Sequence, residues 1–457
     1  MASAPIPTLT MAYPNRICNQ CGCVCDDIVL TVEAGTITHA EHACDKGRAW
    51  FLANHSYSAE GPKAWVKGQP FSLTAAIDTA AEILFHARYP LIFGLADLPC
   101  EAQRQAVSVA DRVGACLDTT LSDEHGAFDA AFQEVGEVTC SLGEVKNRAD
   151  LVIFWGTDPV TSHPRHGERF SLEAKGLFTP RGRADRFVVV VDVEETATAK
   201  QADLFLKIQK DCDFEVLWAL RGLVRGVPLR ESMQKQTGIE DKVLLEFSNR
   251  MKGCRFGILF FGPGLCATRG RQRNAEAALR LVKDLNDFTR FYAKPMSGPG
   301  NVSGAENVVC WQTGYPPSVH FGQGFPRYNL AEYSAKEVLS RGEADAAMMV
   351  AYDPKTPFSP AACKRLSSLP TILLTSHTEN QLPLEIGFRP TVIILTALYG
   401  ICEAGTVFRM DDTPLPLRPV LSSTRPFALD VLTNLEKRIQ ELQTQRHVAM
   451  KNEQGPR

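Results

Sequence analysis

Two rhythms of apolar residues run along this chain. In residues 15–58 the stretch DDIVLTVEAGTITHAEHA alternates apolar and polar positions and turns at Gly35, the pattern of short strands that bury one face. From about residue 73 this alternation gives way to helices and strands in turn. LTAAIDTAAEILFHA and CEAQRQAVSVADRVGA carry apolar positions at helical spacing, and PLIFGLA between them is a short apolar strand. Strand–helix alternation predicts parallel sheets with crossover helices, an α/β protein.

DLVIFWGTDP, RFVVVVDVEETATA, FGILFFGPGL, DAAMMVAYDP and LPTILLTSHTEN are each an apolar run that stops abruptly in polar, Gly- or Pro-containing residues. In doubly wound sheets, ligands bind just past the carboxyl ends of the strands, so these ends are expected to line one binding face. GPGLCATRGRQRNAEAALRLV carries glycines from a strand into a helix but lacks G-x-G-x-x-G spacing, and no acidic residue ends the next strand at the fitting distance. A plain glycine turn before a helix is the competing reading. From residue 427 the chain starts as the amphipathic helix LDVLTNLEKRIQELQ and is expected to fray into a polar tail. The expected division is a cysteine-rich domain over 15–58, several α/β domains over 59–425, and a helix with its tail over 426–457.

A length of 457 residues leaves room for two or three domains, each with its own core. The net charge of −3 argues against general attraction to nucleic acid or anionic membrane. No run of about 18 uninterrupted apolar residues suits a membrane span. The start, MASAPIPTLTMAYPNR, lacks the charged end and apolar core of a signal peptide. A cytoplasmic protein is expected.

Fourteen cysteines in a reducing cytosol read as metal ligands and buried thiols rather than disulfides. Cys100, Cys116, Cys140, Cys212, Cys254, Cys266, Cys310, Cys363 and Cys402 sit mostly among apolar neighbours and are expected chiefly in the core. The N-terminal group differs. Cys18-x2-Cys21-x3-Cys25 followed by Cys44 offers four thiolates at spacings that suit a [4Fe–4S] cluster. Four thiolates also suit zinc, and Cys23 is an alternative to Cys21 or Cys25. Either metal would hold together a domain too small for a good core.

Several segments together then resemble one family. CNQCGCVCDDI, GLADLPCEAQRQAVSVADRVGACLDTT, TCSLGEVKNRADLVIFWGTDPVTSHPRH, NVSGAENVVCWQTGYPPSVHFGQGFPRYN and CEAGTVFRMD look like the B subunit of formylmethanofuran dehydrogenase, over most of the chain from Cys18 to Asp411. That family is similar to molybdopterin oxidoreductases of the dimethyl-sulfoxide-reductase type. The resemblance implies a small N-terminal iron–sulfur domain and Rossmann-like parallel-sheet domains, with tungsten or molybdenum held between two molybdopterin guanine dinucleotides. The C-terminal barrel of the larger enzymes is expected to be missing. The archaeal members fix carbon dioxide as formate at this metal. A related bacterial formyltransferase/hydrolase complex, in tetrahydromethanopterin-linked metabolism, runs the opposite way to free formate, with its reactions on other subunits: amidohydrolase-like A, C and formyltransferase D.

The resemblance also exposes departures. The family's metal-ligating cysteine or selenocysteine precedes a His-Gly pair; here LDTTLSDEHGAF keeps His125 and Gly126 but has Glu124 at the ligand position. A carboxylate is a harder and weaker donor than a thiolate, although Asp123 or Glu124 as a carboxylate ligand is the alternative. Gly156, Thr157 and Asp158 match the pterin-facing motif, and Asp192 closes VVVVD where related enzymes bind the nucleotide. The family pattern D-x-R-x-T becomes DVEET, placing Glu194 where a base should meet a phosphate. Gly262, Gly264, Asn274 and Asp353 survive, as do Glu403, Gly405 and Arg409, whereas GFRPTVIILTA with Arg389 and Pro390 replaces the usual strand end. In SHPRHGERF, His163, Arg165 and His166 are expected to make contacts in the pocket or to neighbouring subunits; Pro164 disfavours the helix that would aim both histidines at a metal.

The expectation is a B subunit of the bacterial complex acting as a scaffold, with its own Mo/W chemistry lost and its cluster retained. A working oxidoreductase with a carboxylate-ligated bis-pterin metal is the second reading, and a cluster-only electron-transfer module the third.

Overall fold

The computed structural model describes residues 10–54, 62–120, 122–351, 358–377 and 387–453, without the side chains of 123–125, 452 and 453. Its first layer is an antiparallel sheet of β1 (Thr10–Arg16), β2 (Ile28–Glu33) and β3 (Thr36–Glu41). The alternation in β2 does what it predicts: Ile28, Leu30 and Val32 are buried and their neighbours are not. The β2–β3 turn lies at Ala34 and Gly35, both with positive φ (49° and 76°), which matches the twist of a tight hairpin. β1 is an additional edge strand that precedes the expected boundary at residue 15, and it carries Pro14 where an edge tolerates the missing donor.

Two larger sheets follow, and the chain visits one of them twice. β4 (Ala64–Val66), β5 (Gln69–Phe71), β6 (Pro90–Gly94) and β7 (Cys116–Thr119) start the first sheet. The chain then leaves to build a second sheet from β8 (Leu151–Trp155), β9 (Phe187–Asp192), β10 (Leu204–Lys207), β11 (Phe256–Phe261) and β12 (Arg290–Pro295). It returns through β13 (Val319–His320), β14 (Arg327–Tyr328), β15 (Ala346–Val350), β16 (Thr371–Thr375) and β17 (Val392–Leu395). The span 59–425 is therefore one discontinuous sheet domain with a second inserted in it. A hairpin of β18 (Gly405–Phe408) and β19 (Pro414–Leu417) closes the strand list among the described residues.

The inserted sheet is wholly parallel, in the order β10-β9-β8-β11-β12. The larger sheet has nine strands, with the parallel centre β7-β6-β15-β16-β17 and antiparallel strands at both edges. Each centre is a doubly wound arrangement whose strand order reverses once, between β8 and β11 in one and between β6 and β15 in the other. The five strand ends expected on one face are thus divided between two sheets: three belong to β8, β9 and β11, and two to β15 and β16. Periodicity within a strand carries no information about which sheet recruits it.

The apolar runs reflect burial on both faces. In β8, Leu151, Ile153 and Trp155 face a core shared with the helices Asp213–Val224 and Gln272–Leu285, whereas Val152 and Phe154 face the N-terminal layer. Cys18, Cys21, Cys23 and Cys25 belong to that second core together with Val188, Val190, Ile258 and Phe260. The cysteine-rich segment is thus a lid on one face of the inserted sheet.

The C-terminal helix runs from Ala428 to Glu453, past the point where a frayed tail was expected. Val431, Leu432, Leu435, Ile439 and Leu442 pack with the helices Leu73–His86 and Cys100–Val113. Polar contacts extend the attachment: Ser108 Oγ and Arg112 Nε donate to Glu436 at 2.9 Å, and Gln443 Nε2 donates to the Arg112 carbonyl at 3.1 Å. Docking supplies what helix propensity alone does not. No helix among the described residues is long and apolar enough to cross a membrane.

Candidate functional site

The cysteine loop folds on itself. Cys18 N–H donates to the Cys25 carbonyl at 2.9 Å, and Val24 N–H to that of Cys21 at 3.1 Å. Cys18, Cys21 and Cys25 are buried and Cys44 is half-buried, just ahead of the helix Asp45–Ala53. Gly47 lets that helix come close: a Cβ there would lie 2.8 Å from Cys18 Sγ and 3.9 Å from Cys44 Sγ. Burial pushes the Cys18 thiol well above its ordinary range, and the sulfurs of Cys25, Cys21 and Cys44 add to this. Burial likewise raises Cys25, to about 11, against the neighbouring Arg169. Cys23 donates its S–H to Cys21, which lowers Cys21 and raises Cys23.

Among the described residues no three His, Cys, Asp or Glu side chains converge on a point suited to one ion. A cubane does not need that convergence, since each thiolate meets its own iron. The four sulfurs, their burial and the nearby cations Lys46, Arg165 and Arg169 are a donor set that fits a [4Fe–4S] cluster.

SHPRHGERF clamps this loop. Arg165 donates both terminal nitrogens to Asp27 at 2.7 Å, and Arg169 Nη2 donates to Asp26 at 2.6 Å. The contact role expected for this segment is thus made within the chain, to the two residues after Cys25. His163 is neutral, its value lowered to about 4 by burial, and its ring meets the Ser297 carbonyl and Ser162 Oγ at 2.8 Å. His166 is fully buried, lowered to about 3 by that burial, with Nδ1 2.8 Å from Ser171 Oγ and its ring edge-on to Phe260. The two rings stand 6.4 Å apart, each with its own hydroxyl partner.

The second candidate lies where the strand order reverses between β8 and β11, the place in such sheets where ligands bind. Gly156, at φ 59°, ends β8, and its missing Cβ would lie 2.6 Å from Leu265 N; a Cβ on Gly264 would lie 2.6 Å from the Gly156 carbonyl. Gly262 meets Thr157 in the same way. These glycines let two loops close on each other. Asn274 seals them, with Nδ2 donating to the Leu265 carbonyl at 2.8 Å and to Thr268 Oγ1 at 3.0 Å, while its Oδ1 is buried without a partner.

The charge at this crevice is negative. Asp158 is buried enough to be raised, but hydrogen bonds from Thr161 and Thr198 outweigh that and hold it below its ordinary value. Asp192 is raised by burial, with Asp213 and Asp158 adding to it. Asp213 is also raised by burial and accepts from Trp155 Nε1 at 2.8 Å and Thr268 Oγ1 at 2.7 Å. Arg269, which lines a neighbouring cavity of about 470 Å³, donates its backbone N–H to Asp211 and its Nη2 to Glu215, both at 2.8 Å. The charges of Asp213 and Asp158 thus both reach Asp192.

Glu124 and His125 fall on the helix Ser122–Val135, but their side chains lie outside the described residues, as does Asp353. Sequence reasoning passed over Asp118, which positions that helix. It is fully buried, raised to about 6 by that burial, and accepts from Ser122 Oγ, Ser318 Oγ and Ala335 N–H at 2.7–2.9 Å. The LDTT segment was its only signal. Lys46 was also missed; its Nζ donates to the Ser162 carbonyl at 3.3 Å, between the cysteines and His163. Cys254 and Cys266 are partly buried against the core of the inserted sheet, whereas Cys310 is exposed and Cys363 is only partly buried, so the core expectation fails for these last two.

Glu403, Gly405 and Arg409 serve the framework. Arg409 pairs with Asp411 at 2.7–2.8 Å, and a Cβ on Gly405 would meet Pro99 at 2.5 Å. Glu403 accepts from the backbone of Ala428 and Leu429 at the start of the C-terminal helix, yet burial raises it to about 7. The folded state favours its neutral form. Its contribution is therefore full below the ordinary carboxylate value, shrinks as pH rises, and is gone above about 7. Glu403→Gln should flatten that fall and gain about 2 kcal/mol over wild type above neutrality, read from urea midpoints at about pH 5 and 8.

No family model matches the chain. Its sequence is 38% identical over 437 residues to the B subunit of the tungsten-containing formylmethanofuran dehydrogenase 2 of Methanocaldococcus jannaschii, covering 94% of this chain and 98% of that one. It is 28% identical over 291 residues to the B subunit of the formyltransferase/hydrolase complex Fhc of Methylorubrum extorquens, or 63% of this chain and 74% of that one. The fold matches a chain in the crystal structure of the FhcABCD complex of the same organism with methylofuran (TM-score 0.68, 24% identity, 83% of this chain and 99% of that one). It also matches acetylene hydratase from Pelobacter acetylenicus (TM-score 0.67, 10% identity, 94% and 69%). The fold is shared with both of these structures, and by its identity to the archaeal protein over nearly the full length of both, the chain belongs to the family of formylmethanofuran dehydrogenase B subunits.

Proposed function

We propose that this chain is the B subunit of a cytoplasmic formyltransferase/hydrolase complex in tetrahydromethanopterin-linked one-carbon metabolism, on the route from formaldehyde to formate. In this reading it is a scaffold for amidohydrolase-like A, C and formyltransferase D subunits, and it has lost Mo/W chemistry of its own. Glu194, which stands where the family carries a base to meet a phosphate, is the main support, because related enzymes seat a nucleotide pyrophosphate there. Glu124 at the thiolate position points the same way. A [4Fe–4S] cluster on Cys18, Cys21, Cys25 and Cys44 completes the proposal; bound there, it would store single electrons and brace the N-terminal layer. Lys46, Arg165 and Arg169 would offset its negative charge, and the apolar face of the inserted sheet would keep water from it.

One observation favours a second reading, an active formylmethanofuran dehydrogenase subunit with carboxylate ligation. Identity to the tungsten-containing dehydrogenase protein is 38% over 94% of the chain, against 28% over 63% for the Fhc protein. Elemental analysis of the purified complex separates the two. The scaffold predicts iron without molybdenum or tungsten; one Mo or W per chain, with bound pterin, overturns it.

A further inference from the structure

The segment Gly167–Ser171 is a π-helical turn, closed by Leu172 N–H on the Gly167 carbonyl, and Arg169 N–H bonds back to the Arg165 carbonyl. Arg165 and Arg169 thus stand one turn apart, both facing Asp26 and Asp27. Their bonding differs. Arg165 is saturated by the two oxygens of Asp27 and by Glu168. Arg169 gives Nη2 to Asp26 but leaves Nη1 buried without a hydrogen-bond partner, 3.5 Å from the nearest Asp27 oxygen. Its guanidinium touches the Cys25 sulfur and lies 5.1 Å from the Phe170 ring centre. A buried donor with an ion pair but no hydrogen bond, beside a prospective ligand sulfur, gains when that sulfur becomes a strong acceptor.

We infer that Arg169 acts through the Cys25 sulfur to set the reduction potential of the cluster, its Nη1 donating to the thiolate or to an adjoining sulfide once the cluster is bound. This rests on the cluster reading given above. The reduced cluster carries one more negative charge than the oxidised one, so a cation and a hydrogen bond at its sulfurs stabilise the reduced form and raise the potential. Asp26 opposes this by drawing on the same guanidinium and by its own charge.

The test compares the full-length protein, purified without oxygen, in wild-type, Arg169→Gln, Arg169→Lys and Asp26→Asn forms, by iron and sulfide content and by redox titration followed by electron paramagnetic resonance. Arg169→Gln is expected to shift the potential negative at unchanged iron content, Arg169→Lys to restore part of the shift, and Asp26→Asn to shift it positive. If the Arg169–Asp26 pair only holds the loop, both partners' variants move the potential the same way or not at all, and the inference falls. Loss of iron from both Arg169 variants would also overturn it, in favour of a holding role. A wild-type protein without iron instead overturns the cluster reading, and this inference with it.

Discussion

Cys18→Ala is expected to reduce the iron of the proposed cluster from about four atoms per chain to less than one and to loosen the whole N-terminal layer. Cys18 is at the centre of the sulfur group: its thiol is raised first by burial and then by Cys25, Cys21 and Cys44, and it lies against Gly47. Three remaining thiolates hold a cubane poorly. Without the metal, the binding free energy that contributes to folding is withdrawn, a loss on the order of several kcal/mol. The consequence extends beyond residues 10–54, because the cysteine loop covers Val152, Phe154, Val190 and Phe260 on the inserted sheet. Iron analysis and limited proteolysis measure both effects. Cys18→Ala protein with full iron and an intact N-terminal layer would rule out this ligand set. Occupancy should also fall in acid, since a thiol this strongly raised keeps its proton and must release it to bind iron.

Gly156→Ala is expected to destabilise the protein by about 3 kcal/mol. Its φ of 59° costs any other residue strain, and its Cβ would lie 2.6 Å from Leu265 N, a backbone atom that cannot rotate away. Gly68→Ala is the control, with a similar φ of 77° and nothing within 4 Å of the added carbon; it should cost only about 1 kcal/mol. Denaturant midpoints of the two variants separate conformational strain from the clash. Equal losses would mean that the β8 and β11 loops do not close on each other.

Much of the architecture was legible in the residues. Ile28, Leu30 and Val32 betray a one-sided strand, and the unbroken run Leu151–Trp155 betrays a strand covered on both sides. Other features were silent for physical reasons. Asp118 looks like any aspartate until Ser318 and Ala335, some two hundred residues away, arrive to bond it. The tail after Gln443 reads as polar and fraying, because the Phe85 ring that Arg446 approaches, 5.9 Å to its centre, lies on a distant helix. Gly156, Gly262 and Gly264 match a cofactor-facing pattern by resemblance, and the fold fills the places their Cβ atoms would take with atoms of each other's loops.

By itself the sequence determined the family, the α/β class, the four thiols at Cys18, Cys21, Cys25 and Cys44, and the departure at Glu124. Each depends on residue identity and short spacing, which the chain carries with it. Only the tertiary structure decided that five strand ends belong to two sheets, that Arg165 and Arg169 grip Asp27 and Asp26, and that the charges of Asp158 and Asp213 reach Asp192. Those depend on which distant segments meet. Charge repulsion, ion pairing and burial act through space, and the order of residues along a chain does not measure it.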